Sequence, residues 1–120
     1  MDVNLILRDG TVNLTVDETL TTTLVGPMVH PLWLHVLVPA VVAATTLDVE
    51  LEFCALAAPT TEVYRMHMKQ IGAVGYYSIP FYTILEHLQV KLDVTGTTPN
   101  FGGAKVWIAP AHRADMPYNA

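Results

Sequence analysis

Five histidines are the residues in this chain of 120 amino acids most able to hold a metal or to move protons. They are His30, His35, His67, His87 and His112. No two of them have the HxH or HExxH spacing that brings two imidazoles onto one metal ion. Since they are scattered singly, the sequence predicts neither a metal site nor a catalytic histidine, and it favours surface or interface roles for His35 and His67.

The two candidate nucleophiles, Cys54 and Ser78, lack the neighbours that would activate them. Cys54 is the only cysteine and precedes the apolar run Ala-Leu-Ala-Ala, a setting in which a thiol stays protonated and unreactive. Ser78 is not part of a GxSxG nucleophile elbow. The pair Gly102-Gly103 precedes a predicted strand and not a helix, so it is no phosphate cradle. The residues therefore show no visible trace of a catalytic site.

The most conspicuous group of ionisable residues is a row of carboxylates followed by a row of basic side chains. The acidic row occupies alternate positions of one predicted strand: Asp48, Glu50 and Glu52. The basic row occupies alternate positions of the next: Arg65, His67 and Lys69. Carboxylates spaced along a strand do not converge as a calcium site requires. If the two strands pair antiparallel, the rows face each other and set the strand register, at some tenths of a kcal/mol per pair.

The elements that would position these side chains are strands. Apolar and polar residues alternate without error over 47–53 and 88–94, which is typical of half-buried strands. Residues 64–69 repeat the alternation less cleanly. The other candidate strands are 5–7, 11–14, 34–38, 76–82 and 104–108, of which 34–38 and 104–108 are rich in β-forming residues. The Asp9-Gly10 dipeptide predicts a tight hairpin turn between 5–7 and 11–14. Glycines in the 96–103 loop are expected to supply positive φ angles.

The spacing of turn residues points to an all-β fold. Eight prolines and seven glycines punctuate the chain, as turns do in sandwiches and barrels. Two sheets packed face to face would bury the alternating apolar faces, so we expect a β-sandwich, with the jelly roll as the favoured form. We assign the sandwich to residues 1–110 and an extended C-terminal arm, ordered against a neighbour, to residues 111–120.

Composition limits the classes of partner. Apolar residues make up 52% of the chain and charged residues only 14%, with a net charge of −5. Such a balance excludes disorder and argues against nucleic-acid binding, which needs clustered basic residues. No apolar run reaches the length of a membrane span, and residues 2–8 lack the uninterrupted apolar run of a signal peptide. A surface so poor in charge usually meets another protein.

Two segments resemble a known family. The stretches LILRDGTVNLT (5–15) and LQVKLDVTGTTPNFGGAKV (88–106) are similar to the start and end of small decoration, or cement, proteins of tailed-bacteriophage capsids. Between them, PLWLHVLV (31–38) and the alternating strand that follows take the places of that family's central strands. The chain departs from the pattern at 55–70 and in its longer C-terminal arm.

The resemblance implies a sandwich or jelly roll on the exterior of a virion capsid, made in the host cytoplasm. Its partner would be the major capsid protein, whose neighbouring subunits it would clamp as a small homo-oligomer, a trimer being favoured over a dimer. The resemblance implies no enzymatic activity and no cofactor. The expected interface residues are Leu5, Leu7, Tyr76, Tyr77, Phe81, Tyr82, His112, Arg113, Met116 and Tyr118.

Two rival interpretations stay open. A carbohydrate- or receptor-binding jelly-roll module of a virion would use exposed aromatic side chains such as Trp33 as a platform. A small enzyme of the cupin type would need two or three histidines and a carboxylate around one metal ion. Core or interface packing is the favoured interpretation of both Trp33 and Trp107.

Overall fold

The computed structural model describes residues 5–23, 31–42, 45–54, 62–83, 85 and 87–109. Eight strands and no helix occur within these ranges. The strands are β1 (Leu5–Asp9), β2 (Glu18–Thr23), β3 (Leu32–Val38), β4 (Thr46–Cys54), β5 (Glu62–His67), β6 (Gly75–Phe81), β7 (His87–Thr95) and β8 (Lys105–Ala109). The predicted arm, residues 111–120, lies outside the described residues.

The strands form two four-stranded antiparallel sheets. Sheet A has the order β1-β8-β3-β6 and sheet B has the order β2-β7-β4-β5. Four antiparallel pairs are nested around the β4–β5 connection: β4 with β5, β3 with β6, β2 with β7, and β1 with β8. The two sheets pack face to face, which confirms the expectation of an all-β sandwich.

The core lies between the sheets and is built by the period-two alternation of their strands. In β4, the apolar residues at 47, 49, 51 and 53 are buried, while the intervening carboxylates point to the other face. The apolar residues of β7 at 88, 90 and 92 meet them from the next strand. Phe53 stacks on Tyr64 and contacts Phe81 across the sandwich. The two segments whose alternation is cleanest are therefore the two central strands of sheet B.

The hairpin predicted around Asp9-Gly10 is wrong. Strand β1 pairs with β8, and residues 11–14 form no strand. Leu14 instead enters the core and exchanges backbone hydrogen bonds with the β7–β8 loop, donating to the Gly102 carbonyl at 2.9 Å and accepting from Phe101 N–H at 3.0 Å. The turn chemistry of Gly10, whose φ is +83°, is present. The turn leads the chain towards β2 in sheet B and does not fold it back onto β1. Strand β1 pairs instead with β8, which is apolar on both faces.

The predicted positive φ angles in the 96–103 loop are confirmed for Gly96 and Gly102 but not for Gly103. Gly102 has a φ of +60°, a left-handed conformation that few other residues adopt. Gly103 meets Gly10 so closely that an added Cβ would lie 2.3 Å from the Gly10 carbonyl oxygen. The loop before β8 therefore packs on the turn after β1 and holds the two ends of the described chain together.

Candidate interaction surface

The outward face of sheet A carries an aromatic cluster. Val106 and Ile108 of β8 enter the core, so the residue between them, Trp107, lies on the opposite face of the sheet. Its ring stacks on His35 of β3 at 5.1 Å and on Tyr76 of β6 at 6.2 Å between centroids. We call His35, Tyr76, Trp107, Leu37 and Ala109 the outer cluster. It is separate from the core.

Two members of the outer cluster have no solvent exposure. Trp107 and His35 are each 0% exposed, although both stand on the face of sheet A that points away from the core. A hydrogen bond joins the Tyr76 hydroxyl and His35 Nδ1 and holds the two stacked rings together. The predicted strand position of His35 is confirmed, but a surface position of its side chain is wrong for the single chain, because the ring is fully buried within this second apolar layer.

Apolar residues continue around the outer cluster. Trp33 and Leu37 of β3 are half-buried, Pro80 of β6 is exposed, and Ile6 of β1 is 44% exposed. Ile6 stands directly opposite Trp107 in the β1–β8 register, which makes it the continuation of the cluster towards the edge of the sheet. An apolar band thus crosses the outward face of sheet A from β1 to β6. The same face also carries Ser78 of β6 and, towards one end, Lys105 of β8 opposite Asp9 of β1.

The outward face of sheet B is ionic. Glu50 lies between Arg65, at 3.3 Å from its carboxylate, and His67, at 3.5 Å. Both partners belong to β5, which pairs antiparallel with β4 and places Glu50 opposite His67 and Glu52 opposite Arg65. The predicted facing of acidic and basic rows is confirmed, with the Arg65 contact running diagonally to Glu50.

Glu52 has partners that the pattern of β4 and β5 does not reveal. Lys91 of β7 lies 3.3 Å from one carboxylate oxygen, and the Gln89 amide donates to the other at 3.1 Å. Glu52 is 5% exposed, so this carboxylate is buried on the outward face of the sheet. A buried carboxylate needs such compensation, because desolvation without a partner costs several kcal/mol.

The end of the acidic row is paired differently from the prediction. Asp48 accepts from the Gln70 amide at 3.1 and 3.3 Å, and not from Lys69. Across the β4–β7 register, Asp48 stands opposite Asp93, so two like charges share this end of the sheet. The Gln70 amide offsets part of that repulsion at Asp48.

One edge of the sandwich is closed by a buried arginine. A bulge at Leu7 turns Arg8 inward, where its guanidinium makes two bonds to the Glu18 carboxylate of β2 at 2.9 and 3.0 Å. The same group donates to the carbonyls of Val12 and Ala104 at 2.8 and 2.7 Å. Arg8 belongs to sheet A and Glu18 to sheet B, so this ion pair joins the two sheets. A groove of about 470 Å³ runs beside it.

A second groove of about 330 Å³ lies at the opposite edge of the sandwich, between β5 and β6. Its lining mixes aromatic side chains with polar ones, including Tyr76, Tyr77, His67, Lys69 and Ser78. The Tyr77 hydroxyl donates to the Ala73 carbonyl at 2.7 Å, which fixes that ring in place.

Among the described residues, no three histidine, cysteine or carboxylate side chains lie close enough together to hold a metal ion. His35, His67 and His87 stand on three different strands, and His87 shares a hydrogen bond of 3.4 Å with Thr23. Cys54 is buried, as its apolar setting predicted, and its thiol donates to the Glu52 carbonyl at 3.7 Å. His30 and His112 lie outside the described residues.

The predicted interface residues fall into several environments. Leu5, Leu7 and Tyr77 are partly buried against the core, whereas Tyr76 belongs to the outer cluster. Phe81 is a core residue, 2% exposed, which leaves its side chain no surface for a partner in the single chain. Tyr82 is 54% exposed. The four residues of the arm lie outside the described part of the chain: His112, Arg113, Met116 and Tyr118.

Sequence reasoning missed the outer cluster and the Arg8–Glu18 pair. A signal for the cluster was available in the run Val106-Trp107-Ile108, because consecutive apolar residues indicate a strand covered on both faces. No comparable signal marks Arg8 and Glu18, which belong to different sheets and meet only when the sandwich closes.

Comparison of the chain with models of protein families and with curated proteins found no match. In the described residues, no helix is long and apolar enough to cross a bilayer.

Proposed function

We propose that this protein is a capsid decoration, or cement, protein that binds the exterior of a bacteriophage head through the outward face of sheet A. The observation that carries the proposal is the contrast between the two faces of the sandwich. One is aromatic and apolar: the rings of the outer cluster are buried at its centre, and the exposed Ile6 and Pro80 flank them. The other is a network of ion pairs. Interface centres are enriched in aromatic residues and depleted in charge.

We further infer a jelly-roll topology, which the resemblance to decoration proteins also implies. The nested strand pairs support it, since a long antiparallel hairpin rolled into two sheets produces the orders β1-β8-β3-β6 and β2-β7-β4-β5. In this arrangement both termini of the described chain belong to sheet A, so the arm at 111–120 would begin beside the proposed binding face.

The proposed partner is the major capsid protein, and the proposed location is the outside of the virion. Ile6 and Pro80 extend the apolar face beyond the outer cluster and are exposed, so both are placed to contact a capsid subunit. Each contact would be modest in area. Many copies on one shell would act together, since avidity multiplies weak individual contacts.

Co-sedimentation with expanded, undecorated heads tests this function. The wild-type chain is expected to sediment with heads and to saturate. The variants Ile6→Lys and Pro80→Lys place a charge on the outward face of sheet A and are expected to bind at least about tenfold more weakly. Thr95→Lys, which adds the same charge at an exposed position of sheet B, is the matched control and should bind like the wild type. Absence of binding by the wild type would overturn the proposal.

The second candidate function is carbohydrate or receptor binding. The groove between β5 and β6 favours it, because Tyr76 and Tyr77 line that groove together with His67, Lys69 and Ser78. Stacking of sugar rings on aromatic faces and hydrogen bonds to hydroxyls need this mixture. A glycan array tests it. Binding that is lost in Trp33→Ala or in Lys69→Met would favour this function over capsid decoration.

A further inference from the structure

The edge strands of the two sheets differ in how they are protected against pairing with another chain. Among the described strands, β1 and β6 form the edges of sheet A and β2 and β5 those of sheet B. An unpaired edge is a template for a further strand unless a bulge, a proline or a charge blocks it.

Three of these edges carry such features. Strand β1 has a bulge at Leu7 and turns Arg8 inward. Strand β6 contains Pro80, which has no N–H to donate. Strand β5 meets β4 with a register shift and presents the charged Arg65 beside His67.

Strand β2 has none of them. Its six residues pair with β7 from Glu18 to Thr23 with no register shift. Four of the six are threonines, which favour extended backbone, and the one charged residue, Glu18, is held by Arg8. Thr19, Thr21 and Thr23 are exposed, and no described strand pairs with the far side of β2.

Apolar surface lies next to this open edge. The groove beside β2 is lined by Ile6, Val12 and Leu20, and Val12 is 67% exposed. A strand added to β2 would cover these side chains while its backbone groups bonded to those of β2. Main-chain bonds and an adjoining apolar groove are the two features used when one protein adds a strand to another.

We propose that β2 pairs antiparallel with β2 of a second copy of this chain, which extends sheet B across a two-fold axis. The partner is a second copy because the structure offers just one unprotected edge among the described strands, and a strand that pairs with itself forms a closed dimer. Charge favours the antiparallel direction. It places the two Glu18 carboxylates towards opposite ends of the shared ladder, whereas a parallel pair would bring them side by side.

The alternation of β2 limits the register. Directly opposed residues must point to the same side of the sheet, so a residue at an even position faces one at an even position. The two-fold axis therefore passes beside a residue and not between two residues. The two registers that pair most of β2 with its copy place the axis beside Leu20 or beside Thr21. In the first register Thr19 faces Thr21 of the second copy, and in the second register Thr21 faces itself. Threonine pairs of this kind are favourable across strands.

This inference does not rest on the capsid proposal, and its test uses the purified full-length chain alone. Sedimentation equilibrium of the wild type should give a mass that rises with concentration to twice 13.2 kDa. The variant Thr19→Lys/Thr21→Lys places like charges opposite one another in either register and should weaken the dimer by about tenfold or more. Thr95→Lys is the control and should dimerise like the wild type.

A mixing experiment separates loss of pairing from loss of folding. Thr19→Glu/Thr21→Glu should also be a monomer, but mixing it with the lysine variant should restore a dimer containing one chain of each kind. A wild-type chain that stays monomeric or forms a trimer, a lysine variant that dimerises undiminished, or a mixture that stays monomeric would each overturn the inference. Binding to heads without dimerisation would leave the capsid proposal standing.

Discussion

The outward faces of sheets A and B are both formed by antiparallel strands, but different interactions stabilise them. On sheet A, the rings of Trp107, His35 and Tyr76 stack on one another in a layer separate from the core. On sheet B, the corresponding positions carry Glu50 and Glu52 with their basic and amide partners. Burial of apolar area stabilises the first face, and compensation of charge by charge stabilises the second.

The two faces differ in the free energy of desolvation that a partner must overcome to bind them. Covering an ionic face means removing charges from water, which costs several kcal/mol per ion before any contact is gained. Covering the exposed apolar side chains of sheet A, such as Ile6 and Pro80, releases water from apolar surface and removes no charge from water. The outward face of sheet A is therefore the better docking face.

The largest effect is expected for Trp107→Ala. Removing a fully buried indole should lower the free energy of unfolding by about 3–5 kcal/mol, measured by urea denaturation. Trp33→Ala, at a half-buried position of the same face, should cost clearly less. Equal losses for the two variants would mean that the outer cluster is not a distinct packed layer.

A smaller loss is expected for Lys91→Met on the opposite face. The change leaves the buried Glu52 carboxylate with Gln89 and no cation, which should cost about 1–3 kcal/mol. Lys69→Met removes an exposed lysine and should change stability by less than about 0.5 kcal/mol. Adding Glu52→Gln to Lys91→Met should recover part of the loss. If both lysine variants behave alike, Glu52 does not depend on its cation.

Glu50→Lys tests whether charge sets the register of sheet B. The new lysine would stand between Arg65, His67 and Lys91, and the melting temperature should fall by the equivalent of about 1 kcal/mol. Because the Glu50 partners are partly exposed, the loss should shrink in high salt. An unchanged melting temperature would contradict the role assigned to these charges.

The smallest effect concerns Asp9, at the margin of sheet A. The Thr11 backbone N–H and, next, its hydroxyl donate to the Asp9 carboxylate at 3.0 and 2.8 Å and lower its pKa below the usual 3.8. A lowered pKa contributes stability above the unfolded value, and that contribution is lost as the pH falls through the folded pKa. Thr11→Ala should raise the Asp9 pKa in an NMR titration, with the backbone bond retaining part of the shift. An unchanged midpoint would show that the hydroxyl contributes nothing.

Much of sheet B could be predicted from the sequence, because its information is local. Residues 47–53 and 88–94 alternate without interruption, so strand identity, inward face and outward face follow from period two alone. The facing of Glu50 and His67 follows from the antiparallel pairing of neighbours in the chain. The prediction of a hairpin at Asp9-Gly10 was wrong because the information that decides it is not local. The turn chemistry was right, but the partner of β1 is strand β8, which lies almost a hundred residues away.

The candidate site was less predictable than the fold. The sequence predicted that Trp107 is a packing residue, but it did not predict the layer in which Trp107 packs. That layer combines His35, Tyr76 and Trp107, which come from three strands that are distant in sequence. Phe81 was grouped with the tyrosines of the same segment as an interface residue, yet the alternation of β6 turns it inward against Phe53.

By itself, the sequence determined that this chain forms strands, that its apolar residues alternate to make a two-layered core, and that charged residues are scarce, at 14% of the chain. Only the tertiary structure decided that Arg8 and Glu18 join the two sheets, that Lys91 and Gln89 compensate Glu52, and that a second apolar layer covers sheet A. The physical reason is range. Backbone period and turn chemistry act between neighbours, whereas the partner of a buried charge or ring depends on which distant strands the closed sandwich brings together.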